Sequence, residues 1–188
     1  MRGEMIVFSI LALVLLISCS QEDDSSSTLE NDVKLDYEVS ILNDMIISSP
    51  AFENNGKIPS KYTCDGDDIN PPLNIEGIPE GTKELVLIVD DPDAPVGNWD
   101  HWIVINIPPE TSIIEEDSVP GTELKNDFKR KSWGGPCPPS GSHRYFFKVY
   151  ALDIELNLGA SSDKKDVESE IEGHVLAKGE LVGVYSRN

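Results

Sequence analysis

The sequence predicts a β-rich domain of the sandwich type over residues 39–188. Three observations predict it. Five short runs, at 39–47, 85–89, 102–107, 145–152 and 180–186, are rich in Val, Ile, Phe and Tyr and bounded by Pro, Gly, Asn or Asp. Polar residues interrupt these runs only rarely, which fits strands buried on both faces. Thirteen prolines and fourteen glycines, mostly between the runs, suit the corners where strands turn back.

Taken in order, the first run is apolar at many positions and β-branched at several. The run at 85–89, Leu-Val-Leu-Ile-Val, has no polar residue and is followed at once by acids and prolines. The runs at 102–107, 145–152 and 180–186 are similar. One helix is predicted at 163–172. Ser161 or Ser162 can cap it, acids crowd its first turns, Val167 and Ile171 share a face, and Gly173 can end it. A second helical turn is read at 174–177. There is no internal repeat, Walker loop or G-x-G-x-x-G, and no cofactor is implied.

The chain has 188 residues, with 34 acids against 15 bases, a net charge of −19 and a pI near 4.3. This length suits one domain. The charge argues against nucleic acid, whose binding rests on Lys and Arg neutralising phosphates. It also opposes unaided docking on an anionic membrane. A hydrophobic content of 39%, with three Trp, five Tyr and five Phe, argues against disorder of the whole chain.

The N-terminus reads as an address. Arg2 precedes residues 5–17, an apolar run interrupted only by Ser9. A membrane-spanning helix needs about 20 apolar residues, so residues 1–18 read as a secretory signal instead. Leu16-Ile17-Ser18-Cys19 resembles a bacterial lipobox, in which the Cys is lipidated and becomes the new N-terminus. The alternative is a plain secretory signal with a chance Cys. Residues 19–38 would then be the lipidated Cys19 and an acidic, self-repelling tether. The stretch 20–38 carries a net charge of −6, which leaves −13 on the domain. The expected location is the cell envelope, with the domain held to the membrane through its N-terminal lipid.

Three motifs carry candidate chemistry. Asp90-Asp91-Pro92-Asp93-Ala94-Pro95 follows the run at 85–89 directly, and its two prolines hold the acids in a stiff loop. Either X–Pro bond of that loop could be cis. Trp99-Asp100-His101-Trp102 places a His between aromatic faces at the start of a strand. The third motif runs Gly134-Gly135-Pro136-Cys137-Pro138-Pro139-Ser140-Gly141-Ser142-His143-Arg144-Tyr145. Alternation along a strand puts His143 and Tyr145 on one side and Arg144 on the other, where Arg144 could support the site by pairing with Asp91 or Asp93. Each motif also has a structural reading: a charged loop, a His satisfied at a sheet end, a proline-rich turn.

Together and in this order, the three motifs resemble those of the phosphatidylethanolamine-binding protein family, especially its bacterial Raf-kinase-inhibitor-like branch. Tyr62-Thr63-Cys64-Asp65-Gly66, Asn70-Pro71-Pro72-Leu73, Gly77-Ile78-Pro79-Glu80-Gly81-Thr82 and the stretch from Gly173 to Leu181 extend the resemblance. It implies a mainly β fold: a Greek-key β-sandwich of two antiparallel sheets with short C-terminal helices. It also implies a small cavity for an anionic or zwitterionic ligand, such as phosphate or a phospholipid headgroup. Asp91, Asp93, His101, His143 and Tyr145 would form that cavity. Pro95, Trp99 and the loop carrying Pro136 and Pro138 would wall it.

Two His can supply positive charge when protonated, and neighbouring Asp residues would raise their pKa. Binding would then tighten as pH falls through about 6.5. By the same resemblance Cys64 and Cys137 lie near the cavity. In an oxidising envelope they either pair or remain two buried thiols. Other functions are open: an inhibitor of an envelope protease, or an interaction module docking an acidic partner on Lys129-Arg130-Lys131. A metal-dependent hydrolase is a further alternative, but the chain has no HExxH and no G-x-S-x-G. The reading is a binding protein without turnover, with its protein partner unidentified.

Overall fold

A computed structural model describes residues 45–159 and 161–187. The signal segment, Cys19, the tether and residues 39–44 of the first predicted run lie outside the described residues. Nine strands are described: β1 (Ile46–Ser48), β2 (Gly56–Lys57), β3 (Leu73–Glu76), β4 (Glu84–Asp91), β5 (Trp99–Ile107), β6 (Ile113–Ile114), β7 (Thr122–Glu123), β8 (Ser142–Leu152) and β9 (Val175–Ser186). One helix, α1 (Lys164–Ile171), precedes β9, and a single 3-10 turn spans Ser60–Tyr62. No helix among the described residues is long and apolar enough to cross a membrane.

The strands form two sheets, one of three strands in the order β1-β3-β6 and one of six in the order β2-β9-β8-β4-β5-β7. All pairings are antiparallel, as expected of this fold class, except that of the two-residue edge strand β2 with β9. All eight residues of β4 are buried, and alternation divides them between two cores. Leu85, Leu87 and Val89 face the small sheet, meeting Ile47, Leu73, Ile75 and Ile114. Val86 and Ile88 face the other way, toward Val167 and Ile171 of α1. The central sheet is therefore covered on both sides. Each large aliphatic side chain so buried contributes about 1.5–3 kcal/mol.

α1 begins where predicted, but its cap is Asp163. That carboxylate accepts from the amides of Lys165 and Asp166, and Asp166 reaches back to the Asp163 amide. The predicted helical turn at 174–177 is absent. Val175 opens β9, a twelve-residue strand paired along β8 from Leu152 to Ser142. Pairing with that long neighbour overrides the weak local helical signal. Strands β2, β6 and β7 have two residues each, too few to show a period.

Two irregularities in β5 shape both ends of the sheet. Leu85 pairs with Ile107 but Leu87 with Val104, so an extra residue bulges near Asn106. Asn106 has φ +54°, and the buried Glu84 carboxylate accepts from its backbone and side-chain amides and from Leu156 N. At the other end Val89 pairs with Trp102 but Asp90 with Asp100, which leaves His101 as the extra residue.

Candidate functional site

The second bulge sets the direction of His101. Trp102 and Val104 face the sandwich core, so strict alternation would send His101 toward the helix layer. The bulge instead turns His101 to the sandwich end, where its ring stands edge-on to Tyr145 at 5.1 Å. His143 and Tyr145 reach the same place by alternation along β8, and Asp91 by alternation along β4 after Leu87 and Val89. These side chains surround a cavity of about 190 Å³, together with Ala94, Pro95, Val96, Trp99, Phe128, Cys137, Pro138 and Pro139.

Two of the predicted site residues stand elsewhere. Asp93 does not line the cavity. Its carboxylate accepts from Arg144 Nε at 2.8 Å, Nη2 at 2.7 Å and the Arg144 amide at 3.0 Å. The Arg144 bond is the main reason the Asp93 carboxyl is held down at about 2. Arg144 thus supports the rim of the site, in the open. Pro136 is buried behind the wall, its carbonyl accepting from Cys64 N. Phe128 was not among the predicted lining. It sits in the polar stretch before Lys129, where a lone aromatic was the available signal. The basic run is partly used internally: Arg130 lies over the Phe128 ring and pairs with Asp68, and Lys129 approaches Asp127 at 3.7 Å. No cis peptide bond occurs among the described residues.

The imidazoles are each fixed through one nitrogen. His143 Nδ1 donates to Asp91 Oδ2 at 2.7 Å, while Asp91 Oδ1 accepts from the Asp93 amide. His101 Nδ1 donates to the Gly134 carbonyl, which places the proton of the neutral ring there and leaves Nε2 as an acceptor. The expectation that acids raise the His101 pKa is corrected. Burial dominates and holds it below its ordinary value, despite the opposing bond to Gly134 and the charges of Asp91 and Asp90. Neither Nε2 is sealed and unsatisfied; the one such buried side-chain atom among the described residues is the Tyr145 hydroxyl. Burial, then the charge of Asp91, raises the Tyr145 pKa. The Cys137 backbone acts in the opposite sense, but without hydrogen-bond geometry.

His101 makes stability depend on pH. Its folded pKa is lower than its unfolded value of about 6.5, so the unfolded chain binds more protons below that pH. Its share of stability is complete above about 6.5 and is lost as pH falls through the folded pKa. Urea midpoints measured from pH 7.5 to 5.0 should fall more steeply for the native chain than for His101→Gln. Parallel profiles would refute this.

Comparison with known proteins follows the same geometry. The model of the phosphatidylethanolamine-binding protein family matches residues 48–186. The chain belongs to that family. A UPF0098 protein of Pyrococcus horikoshii is 52% identical over 149 residues, covering 74% of this chain and 75% of its own length. A UPF0098 protein of Methanothermobacter thermautotrophicus is 47% identical over 150 residues, covering 76% and 99%. Among solved structures, a phosphatidylethanolamine-binding protein homologue from Chlamydia trachomatis aligns with a TM-score of 0.75 at 38% identity, covering 78% of this chain and 99% of that one. YBCL of E. coli, described as a new member of the mammalian family, aligns with a TM-score of 0.72 at 30% identity, covering 77% of this chain and 99% of that one.

The family membership accounts for the two-sheet fold and supports ligand binding. Two further facts bear on chemistry. The cavity lining holds no Ser or Thr, and its Cys137 is bonded to Cys64 with Cα atoms 5.5 Å apart. No group of three or more His, Cys, Asp or Glu among the described residues is placed to hold a metal ion.

Proposed function

We propose that the cavity binds the phosphoryl group of a small ligand, either free phosphate or a phospholipid headgroup, without turning it over. One observation carries this reading: the Tyr145 hydroxyl lies buried at the cavity with no partner, beside two imidazoles whose Nδ1 atoms are already engaged. A buried donor without an acceptor costs about 1–3 kcal/mol, and a ligand oxygen removes that cost. The description of the matched family supports a phosphoryl headgroup as the ligand class. The lining offers no Ser, Thr or free Cys as a nucleophile.

The neutral His101 is an acceptor, and Asp91 adds negative charge nearby. A monoanionic phosphoryl group therefore fits better than the dianion: in free phosphate or a monoester its P–OH can donate to Nε2 while its other oxygens accept from Tyr145, and a headgroup diester, which has no P–OH, uses the Tyr145 donor alone. Phosphate monoesters take up this proton near pH 6, so affinity should rise as pH falls from about 7.5 to 5.5. Calorimetric titration with phosphate and with phosphorylethanolamine tests the assignment. Tyr145→Phe should weaken both about tenfold, a change of about 1.4 kcal/mol. It should leave thermal stability nearly unchanged, because the hydroxyl has no protein hydrogen-bond partner among the described residues. Equal affinity for the variant, or tighter binding at high pH, would overturn the assignment.

We also propose that the chain is an envelope lipoprotein of the Raf-kinase-inhibitor-like branch, anchored through Cys19. The lipobox-like sequence supports this, as does a disulfide that needs an oxidising compartment to form. In a bacterial host, Cys19→Ala should move the protein from the membrane to the soluble fraction, with loss of acyl mass from the N-terminal peptide. A membrane fraction unaffected by the substitution would reject the anchor.

A further inference from the structure

One wall of the cavity has an unusual attachment. The backbone at 134–136 is fastened without help from sulfur. Gly134 N donates to His101 O at 3.2 Å and Gly135 N to Asp68 Oδ1 at 2.7 Å, and Cys64 N donates to Pro136 O at 3.2 Å. A Cβ on Gly135 would sit 2.7 Å from Tyr62 O, so this stretch is packed backbone against backbone. At Ser142 the ladder with β9 resumes. Between these anchors, no hydrogen bond among the described residues ties 137–141 to the rest of the fold. Pro138 and Pro139 have no N–H to give. Gly141 has φ +73° with open space around it, which suits a pivot.

The Cys64–Cys137 bond is therefore the one covalent tie on this flap, beside the packing of the buried Pro138. Both cysteines are exposed, so an external thiol can reach the bond. The flap supplies Cys137, Pro138 and Pro139 to the cavity wall, and the Cys137 backbone lies against the Tyr145 hydroxyl.

We propose that Cys64–Cys137 is a redox latch on the cavity: its reduction by a dithiol frees residues 137–141 and weakens ligand binding. A thiolate of the reductant attacks one sulfur and forms a mixed disulfide. The second reductant thiol displaces it. Two electrons and two protons pass to Cys64 and Cys137, and the reductant leaves as its own disulfide. Opening is local, because the contacts of 134–136 and the β8–β9 ladder contain no sulfur. Affinity falls because the open flap takes Cys137, Pro138 and Pro139 out of the cavity wall, and a ligand must reorder them to regain their contacts.

The effect on affinity rests on the cavity being the phosphoryl site proposed above; the opening of the flap does not. The test uses the purified full chain, oxidised or treated with dithiothreitol, with thiol labelling to show that reduction is complete. Backbone 15N order parameters should fall below about 0.6 at 137, 140 and 141 and stay near 0.85 in β4 and β8. Inorganic phosphate should bind about tenfold more weakly, and reoxidation should restore both readings. Cys64→Ser with Cys137→Ser should reproduce the reduced state without reductant. If that variant fails to fold, the chemically reduced chain decides.

Unchanged order parameters in the flap after complete reduction overturn the latch. So does a fall across the whole domain, which would make the bond a staple for the native fold. Phosphate binding in neither redox state would overturn the phosphoryl reading, and the latch then stands or falls on the order parameters alone.

Discussion

Asp90→Ala is expected to lower the unfolding free energy of the domain by about 3 kcal/mol, the lower end of what breaking a buried ion pair costs. Asp90 is 0% exposed. Its carboxylate accepts from Lys148 Nζ at 2.8 and 2.9 Å, Lys164 Nζ at 2.7 Å and Asn98 Nδ2 at 2.9 Å. Removing it leaves the largely buried Lys164 with Asp100 at 2.8 Å and a long contact to the exposed Glu168 at 4.0 Å. Lys148 retains a path to water, which limits the loss.

This contribution carries a pH signature opposite in origin to that of His101. Burial pushes the Asp90 carboxyl up, but the bonds from Lys148, Lys164 and Asn98 outweigh it and leave its pKa below the usual value. A depressed acid stabilises the fold fully above its unfolded pKa of about 3.9 and loses that effect as pH falls through the folded value. Urea unfolding should thus show the full gap between native chain and variant at pH 7 and a smaller gap below about pH 4. A gap independent of pH would show that packing, and not charge, carries the effect. A double-mutant cycle with Lys164→Met should return a coupling energy above about 1 kcal/mol. The network also bears on the site, since Asp90 and Asp100 flank Asp91 and His101 in sequence and close the bulge from the helix side.

That bulge marks the boundary of what the sequence could tell. β4 was legible because five consecutive aliphatics between turn signals have few other uses. His143 and Tyr145 were legible as a pair because period two puts them on one face. The direction of His101 was not, since alternation from Trp102 assigns it to the wrong layer. Only the pairing of Val89 with Trp102 and Asp90 with Asp100 reverses it. Asp91 and Asp93 both adjoin Pro92, and nothing local separates them. The separation comes from across the sheet, where Arg144 takes Asp93 and His143 takes Asp91. The pKa of His101 failed for a related reason: nearby acids were visible in the chain, but the depth of burial was not. Phe128 was hidden among charges, and the helical turn at 174–177 gave way to a partner strand remote in sequence.

Replacing both Cys64 and Cys137 by alanine is expected to lower unfolding free energy by about 4 kcal/mol. The bond closes a loop with a sequence separation of 73 residues, and loops of about 15 and 100 residues correspond to about 3 and 4.7 kcal/mol of lost chain entropy. That effect resides in the unfolded chain. A domain with the usual 5–15 kcal/mol of stability stays folded without it. Guanidinium unfolding of the oxidised and reduced chains should therefore shift the midpoint, with the denaturant slope rising on reduction as the released loop exposes more surface. A loss below about 1 kcal/mol would mean that the unfolded chain already keeps 64 and 137 close. The latch acts on a different state. It concerns five residues of the native fold that no hydrogen bond secures, and its signature is backbone motion under native conditions far from any midpoint. Bond removal can cost much in the first measurement while moving only the flap in the second, because the strands that carry Asp91, His101, His143 and Tyr145 owe their pairing to ladders that contain no sulfur.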